Sequence, residues 1–123
     1  MQVRQATERD VDDIVRMSRA FYATTTYRGY ADFNEDTVRR LAETLVADHV
    51  MLVAENDGAV VGMVGLFVVP FLFNSDHRMA HEVVWYVDPD AQGAGAGKAL
   101  LAAIEPACRA KDATGIFMIH LSN

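Results

Sequence analysis

Hydrophobic and polar positions recur with two different periods along this chain, and the switches between them mark its elements. A short strand, Gln2 to Ala6, leads to Thr7 as an N-cap, ahead of Glu8, Asp10, Asp12 and Asp13, acids that favour a helix start. Val11, Ile14, Val15, Ser18, Phe21 and Tyr22 then follow at helical spacing. The run Thr24 to Asp32, with its β-branched residues and Gly29, breaks that pattern and predicts a loop. Asn34 caps a second helix whose buried stripe is Val38, Leu41, Leu45 and Val46. His49 to Glu55 and Ala59 to Val69 read as strands joined by a hairpin turn at Asn56-Asp57-Gly58. Pro70 to Met79 is expected to be a longer connection, and Val83 to Val87, rich in β-branched and aromatic residues, a central strand. The third helix carries Leu100, Leu101 and Ile104 at helical spacing, with Pro106 expected to kink or shorten it, and Ile116 to Leu121 reads as the last strand. The periods alone predict a mixed α/β domain with helices on both faces of a sheet.

Composition narrows the function classes. With 123 residues, the chain is expected to be one domain spanning 1–123, and 51% hydrophobic with 23% charged residues is a soluble globular profile. A formal net charge of −6 argues against general nucleic-acid or anionic-membrane binding and is compatible with a cationic amine substrate. The lone Cys108 leaves no partner for an intrachain disulfide and suits a reducing cytoplasm, the expected location. It is expected to pack on the third helix, with no base nearby in sequence to support an acyl-cysteine route. The start, MQVRQATERD, has no apolar core of signal-peptide length, and no apolar run is long enough to span a bilayer. His49, His77, His81 and His120 do not form a metal-ligand pattern, so no metal is expected.

The chemistry concentrates where the central strand ends. Asp88-Pro89-Asp90 stops that strand, and Gln92-Gly93-Ala94-Gly95-Ala96-Gly97-Lys98 then opens the third helix. A glycine-rich turn at a helix start aims several backbone N–H groups at one point and suits an anion, most simply a phosphate. A nucleoside triphosphatase loop would need glycine where Gln92 stands and a hydroxyl residue where Ala99 stands. A dinucleotide fingerprint would need glycine or alanine at Lys98 and a place after the first strand.

Gln92-x-x-Gly95-x-Gly97, after a strand ending Val87-Asp88-Pro89, resembles the acetyl-coenzyme A signature of the GNAT superfamily of N-acetyltransferases. The resemblance implies a GNAT-like acyl-CoA N-acyltransferase fold of α/β class (an α+β mixed sheet), in the order β-α-α-β-β-β-α-β. It implies that the turn from Gln92 through Gly93, Ala94, Gly95, Ala96 and Gly97 to Lys98 grips the coenzyme A pyrophosphate. Lys98 either places its ammonium near a phosphate or is a solvated helix-start lysine. The strand at Trp85, Tyr86 and Val87 would offer its backbone to the pantetheine arm and an N–H to the oxyanion, where the family often has a bulge. Of the two aromatics one should be core and the other line the slot, with core packing assigned to Trp85. Glu82, at the place of the family's glutamate base, is either the general base or pairs with Arg78, a neighbouring strand or solvent. Its flanks, Val83, Val84 and Trp85, would partly desolvate it.

The resemblance also nominates acceptor-selecting residues: Phe21, Tyr27, Tyr30, Asp32 and Phe33, with Phe71 and Phe73 before the central strand; ordinary loop packing is the alternative reading for all of them, and the favoured one. Phe71-Leu72-Phe73 could instead serve a dimer contact. Asn123 resembles an asparagine that contacts the coenzyme arm. Measured against the family, the fold is truncated after the fifth strand, and the tyrosine that often protonates the departing thiolate has no counterpart. An apolar last strand, Ile116 to Leu121, is therefore expected to be covered by another chain, a homodimer or other self-association. Three hypotheses follow: transfer of an acetyl group from acetyl-coenzyme A to the primary amine of a small molecule or peptide; a coenzyme A-binding regulatory or inactive module; or an interaction protein with a structural anion site.

Overall fold

A computed structural model describes residues 1–118. In chain order the elements are β1 (Gln2–Gln5), α1 (Val11–Ala23), α2 (Glu35–Asp48), β2 (Val50–Asn56), β3 (Ala59–Phe71), β4 (Asn74–Val87), α3 (Ala96–Ala110) and β5 (Gly115–Phe117). Short 3-10 turns fill Glu8–Asp10, Thr26–Gly29 and Pro89–Ala94. The strands form one mixed sheet in the order β1-β2-β3-β4-β5, antiparallel except for the β4–β5 pair. This is the mixed α/β element order expected from the periodicity.

Alternation along the strands supplies two cores, one on each face of the sheet. Leu52, Val64, Leu66, Val68 and Ala80 pack under α3 with Leu100, Ile104 and Cys108. Met51, Val53 and Met63 point the other way, onto Ile14, Met17 and Leu45 of α1 and α2. The β2–β3 hairpin turns at Asp57 and Gly58, with φ of 53° and 82°, a type I′ turn matching the Asn-Asp-Gly signal.

Three expectations change. Pro70 to Met79 is not a long connection: β3 runs to Phe71, turns over Leu72-Phe73, and returns as β4 from Asn74. Pro70 is tolerated because the register shifts beside it, between Pro70 and Phe71, where a missing N–H costs the ladder little. In α3, Leu101 is 57% exposed, and the buried face is Ala96, Leu100, Ile104, Ala107 and Cys108. Pro106 does not shorten α3, which continues to Ala110. Pro106 and Ala102, whose carbonyl loses its helical donor, both lie on the solvent side, where water can replace that bond.

The first turn is locked by charge. Arg4 of β1 donates from Nη1 and Nη2 to the buried carboxylate of Asp10 at 2.8 and 2.9 Å, and from Nε to Glu55 of β2. Asp10 also accepts from the Thr7 amide at 2.8 Å. The Arg4 hydrogen bonds hold the Asp10 carboxyl below its ordinary value, against the opposing effect of burial. A carboxyl depressed in the folded state stabilises the fold above the unfolded-state value near 4 and loses that contribution as pH falls through the folded one. Asp10→Asn is expected to lower unfolding free energy by about 2 kcal/mol at neutral pH. In denaturant titrations at successive pH values, the gap from wild type should close only under acid.

Candidate functional site

The site begins at the far end of β4. Pairing with β5 is described as far as His81↔Phe117, and Glu82 to Val87 carry β4 on toward the glycine turn. On the inner side, Leu66 pairs with Glu82 and Gly65 with Val84, which leaves Val83 as an extra residue. The bulge therefore lies at Val83, ahead of the Trp85 to Val87 stretch where it was expected. Its cause is steric: a Cβ at Gly65 would stand 3.0 Å from Met51 Sδ and 3.2 Å from Val84 Cγ1, so only glycine leaves room opposite. The bulge turns both Val83 and Val84 toward α1 and α2, and sends Trp85 to the α3 side. Glu82, half-buried, shares its row with Leu66 on the α3 side, one residue before the bulge.

Beyond Val87 the chain is stapled before it turns. The Asp88 amide donates to Val61 O at 2.8 Å, Ala91 N–H to Asp88 O at 2.9 Å, and Gln92 Nε2 to Val87 O at 3.3 Å. Gly95, at φ +86°, is the residue that only glycine adopts without strain, and it caps α3. Because the first helical bond is Ala99 N–H to Gly95 O, the amides of Ala96, Gly97 and Lys98 have no acceptor within the helix. A Cβ added at Gly93 or Gly95 would meet nothing within 4 Å, and at Gly97 only Val87 Cγ2 at 3.9 Å. The space above this turn is open, as an approaching phosphate requires.

Trp85, Tyr86, Val87, Gln92 and Gly97 together line a cavity of about 320 Å³. Five of the expected coenzyme residues thus converge. Trp85 packs on the α3-side core and Tyr86 on the opposite one, and both line this cavity. Gly93, Ala94, Gly95 and Lys98 are exposed around the turn, and Ala96 is buried in the α3-side core. Lys98 has no ion pair among the described residues. Asn123 lies outside the described residues.

One support was not legible in the sequence. Arg16 of α1 donates to Asp88 and to Val60 O, both at 3.1 Å, tying α1 to the strand end just before the glycine turn. Burial, then the charge and hydrogen bond of Asp88, raise the Tyr86 hydroxyl above its ordinary value, so it stays protonated. Burial likewise pushes the Cys108 thiol up, which disfavours a nucleophilic thiolate. Among the described residues no group of three His, Cys, Asp or Glu stands where it could hold a metal ion. No described helix is long and apolar enough to cross a membrane.

A second cavity, of about 430 Å³, lies between α1, α2 and the bulge. Of the nominated acceptor residues Phe21, Asp32 and Phe33 line it, and so do Tyr22, Val83 and Val84, which were not nominated. Tyr27 and Tyr30 do not; they are 64% and 91% exposed. The Tyr22 hydroxyl takes the backbone carbonyls of Tyr27 and Ala31, pinning that turn by its main chain with both rings outward. Phe71 and Phe73 pack edge to face on each other at the far hairpin tip, with centroids 5.9 Å apart. Phe117 of β5 is 60% exposed and stacks beside His81.

Residues 13–123 match the family model described as the acetyltransferase (GNAT) family. Comparison with curated proteins gives no match. Among solved structures, a possible acetyltransferase from Clostridium difficile 630 superposes with a TM-score of 0.78 at 16% identity, over 99% of this chain and 80% of that one. A ribosomal-protein-alanine N-acetyltransferase from Brucella melitensis biovar Abortus 2308 gives 0.70 at 22% identity, over 98% and 81%. A predicted acetyltransferase with acetyl-CoA from Clostridium acetobutylicum gives 0.74 at 15% identity, over 97% and 80%. At these identities the likeness is one of fold.

Proposed function

The chain belongs to the GNAT acetyltransferase family, and from that premise we propose that it moves an acetyl group from acetyl-coenzyme A to a primary amine. The reading rests on one observation: the amides at the start of α3 that have no acceptor within the helix and the end of β4 meet at the cavity lined by Trp85, Tyr86, Val87, Gln92 and Gly97. A pyrophosphate at the turn would accept hydrogen bonds from the Ala96, Gly97 and Lys98 amides at the positive end of α3. From there the pantetheine arm would run along the end of β4, hydrogen-bonded to its backbone.

Acetyl-coenzyme A supplies the activated acyl carbon; the chain supplies position, a base and an N–H donor. An alkyl ammonium must lose a proton before its nitrogen can attack. Glu82 is the proposed acceptor of that proton, directly or through one water. The C–N bond then forms as the C–S bond breaks, and the thiolate leaves to take up a proton. A β4 amide beside the bulge would donate to the carbonyl oxygen as negative charge develops there.

Coenzyme A is expected to raise the thermal midpoint, because a ligand that binds only the folded state stabilises it by about 2.7 kcal/mol at a hundred times its Kd. A midpoint that ignores millimolar coenzyme A would leave the turn as a structural feature and end this reading.

A further inference from the structure

We propose that the amine acceptor is a compact molecule with an apolar or aromatic body, which fills the cavity between α1, α2 and the β4 bulge. This rests on the acetyl-transfer reading above and narrows its acceptor. The cavity measures about 430 Å³, and its walls are largely hydrocarbon: Ile14, Phe21, Phe33, Leu41, Val83 and Val84. Among the described residues, two of its polar side chains are committed, and those of Ser18, Thr37 and Asp32 are not. Asn34 caps α2 by accepting from the Thr37 amide at 2.9 Å, and the Tyr22 hydroxyl holds the carbonyls of Tyr27 and Ala31.

Charge at the mouth points to a cation. Arg19 is neutralised by Glu35 at 2.9 Å and lies over the Phe33 ring, 4.5 Å from its centroid. The Asp32 carboxylate has no ion pair or hydrogen bond among the described residues, and it is exposed at the rim. An uncommitted carboxylate beside an apolar chamber draws in a cation whose remaining surface is hydrocarbon. A polyhydroxylated amine or an extended peptide would bury more hydroxyls and amides than Ser18, Thr37 and Asp32 can partner, at about 1–3 kcal/mol for each one left over. The bulge matters twice: it turns Val83 and Val84 into the chamber, and it lies directly before the Trp85 to Val87 stretch along which the acyl group would be presented.

The test has a binding arm and a turnover arm. In the first, 2-phenylethylamine should raise the thermal midpoint of wild type, whereas ethanolamine should not. The shift should vanish in Leu41→Trp, which fills the chamber, and weaken in Phe33→Ala, which keeps the fold if the first variant does not. Asp32→Asn, an exposed change, should weaken phenylethylamine binding about threefold and flatten its salt dependence. In the second arm, kcat/KM with acetyl-coenzyme A should favour phenylethylamine or hexylamine over ethanolamine or an aminoglycoside by at least about tenfold. Equal or reversed preference, with turnover intact, overturns the apolar acceptor and leaves acetyl transfer standing. Turnover of no amine, with phenylethylamine still bound, removes the acetyl-transfer reading instead, and the acceptor assignment falls with it.

Discussion

A Gly97→Val protein will fold normally and lose coenzyme A. The two outcomes separate cleanly at this residue. A Cβ there meets only Val87 Cγ2, at an ordinary 3.9 Å, and the position lies inside α3, where a side chain needs no unusual backbone angle. Valine is no worse a helix former than glycine, so the thermal midpoint should hold. Its methyls, however, would stand in the cavity that Gly97 shares with Trp85, Val87 and Gln92, where the pyrophosphate is proposed to sit. Losing two or more charge-assisted hydrogen bonds corresponds to an affinity loss on the order of a hundredfold or more. Gly97→Ala should give a smaller loss in the same direction. Gly95 is a poorer probe, since its φ of +86° would strain any side chain by about 1–2 kcal/mol and mix a folding defect into the result. Calorimetric titration of the folded Gly97→Val protein with unchanged affinity would remove the pyrophosphate from this turn.

Replacing Glu82 by Gln should leave coenzyme A affinity unchanged and lower turnover by about a hundredfold near neutral pH. The size of the side chain is kept, so the half-buried place beside the bulge and opposite Leu66 is not emptied. What is lost is the ability to take a proton from the ammonium. The deficit should therefore shrink as pH rises toward the amine's own value, because free amine then reaches the site without help. A pH profile parallel to wild type, only lower, would point to a positional role. Wild-type turnover would return Glu82 to the sheet as a structural residue.

Local chemistry was readable in the sequence, and long-range geometry was not. The Asn-Asp-Gly hairpin, the Asn34 cap and the strand–glycine turn–helix order each depend on residues within a few positions of one another, and each stands where periodicity put it. The bulge was misplaced because its cause, the missing side chain of Gly65, lies on a neighbouring strand. The Phe71 to Asn74 turn was read as part of a loop because Pro70 looks like a breaker; at a register shift near a strand end it is not one. The clamp from Arg16 to Asp88 joins residues 72 positions apart, and no local pattern marks either as a partner. Five expected coenzyme residues line one cavity, whereas the acceptor residues divide. Phe21 and Phe33 line the second cavity, while Tyr27 and Tyr30 turn outward because the Tyr22 hydroxyl holds the main chain of their loop.

The most direct test of acetyl transfer is thiol release from acetyl-coenzyme A, followed continuously while a panel of primary amines is added to the purified chain. The panel should span arylalkyl, aliphatic, hydroxylated and peptide amines. The account predicts release that depends on amine, saturates with it, and is lost in Gly97→Val. Acetyl-coenzyme A that binds at the glycine turn yet releases no thiol with any amine would contradict it, and would make the chain a coenzyme A-binding module without turnover.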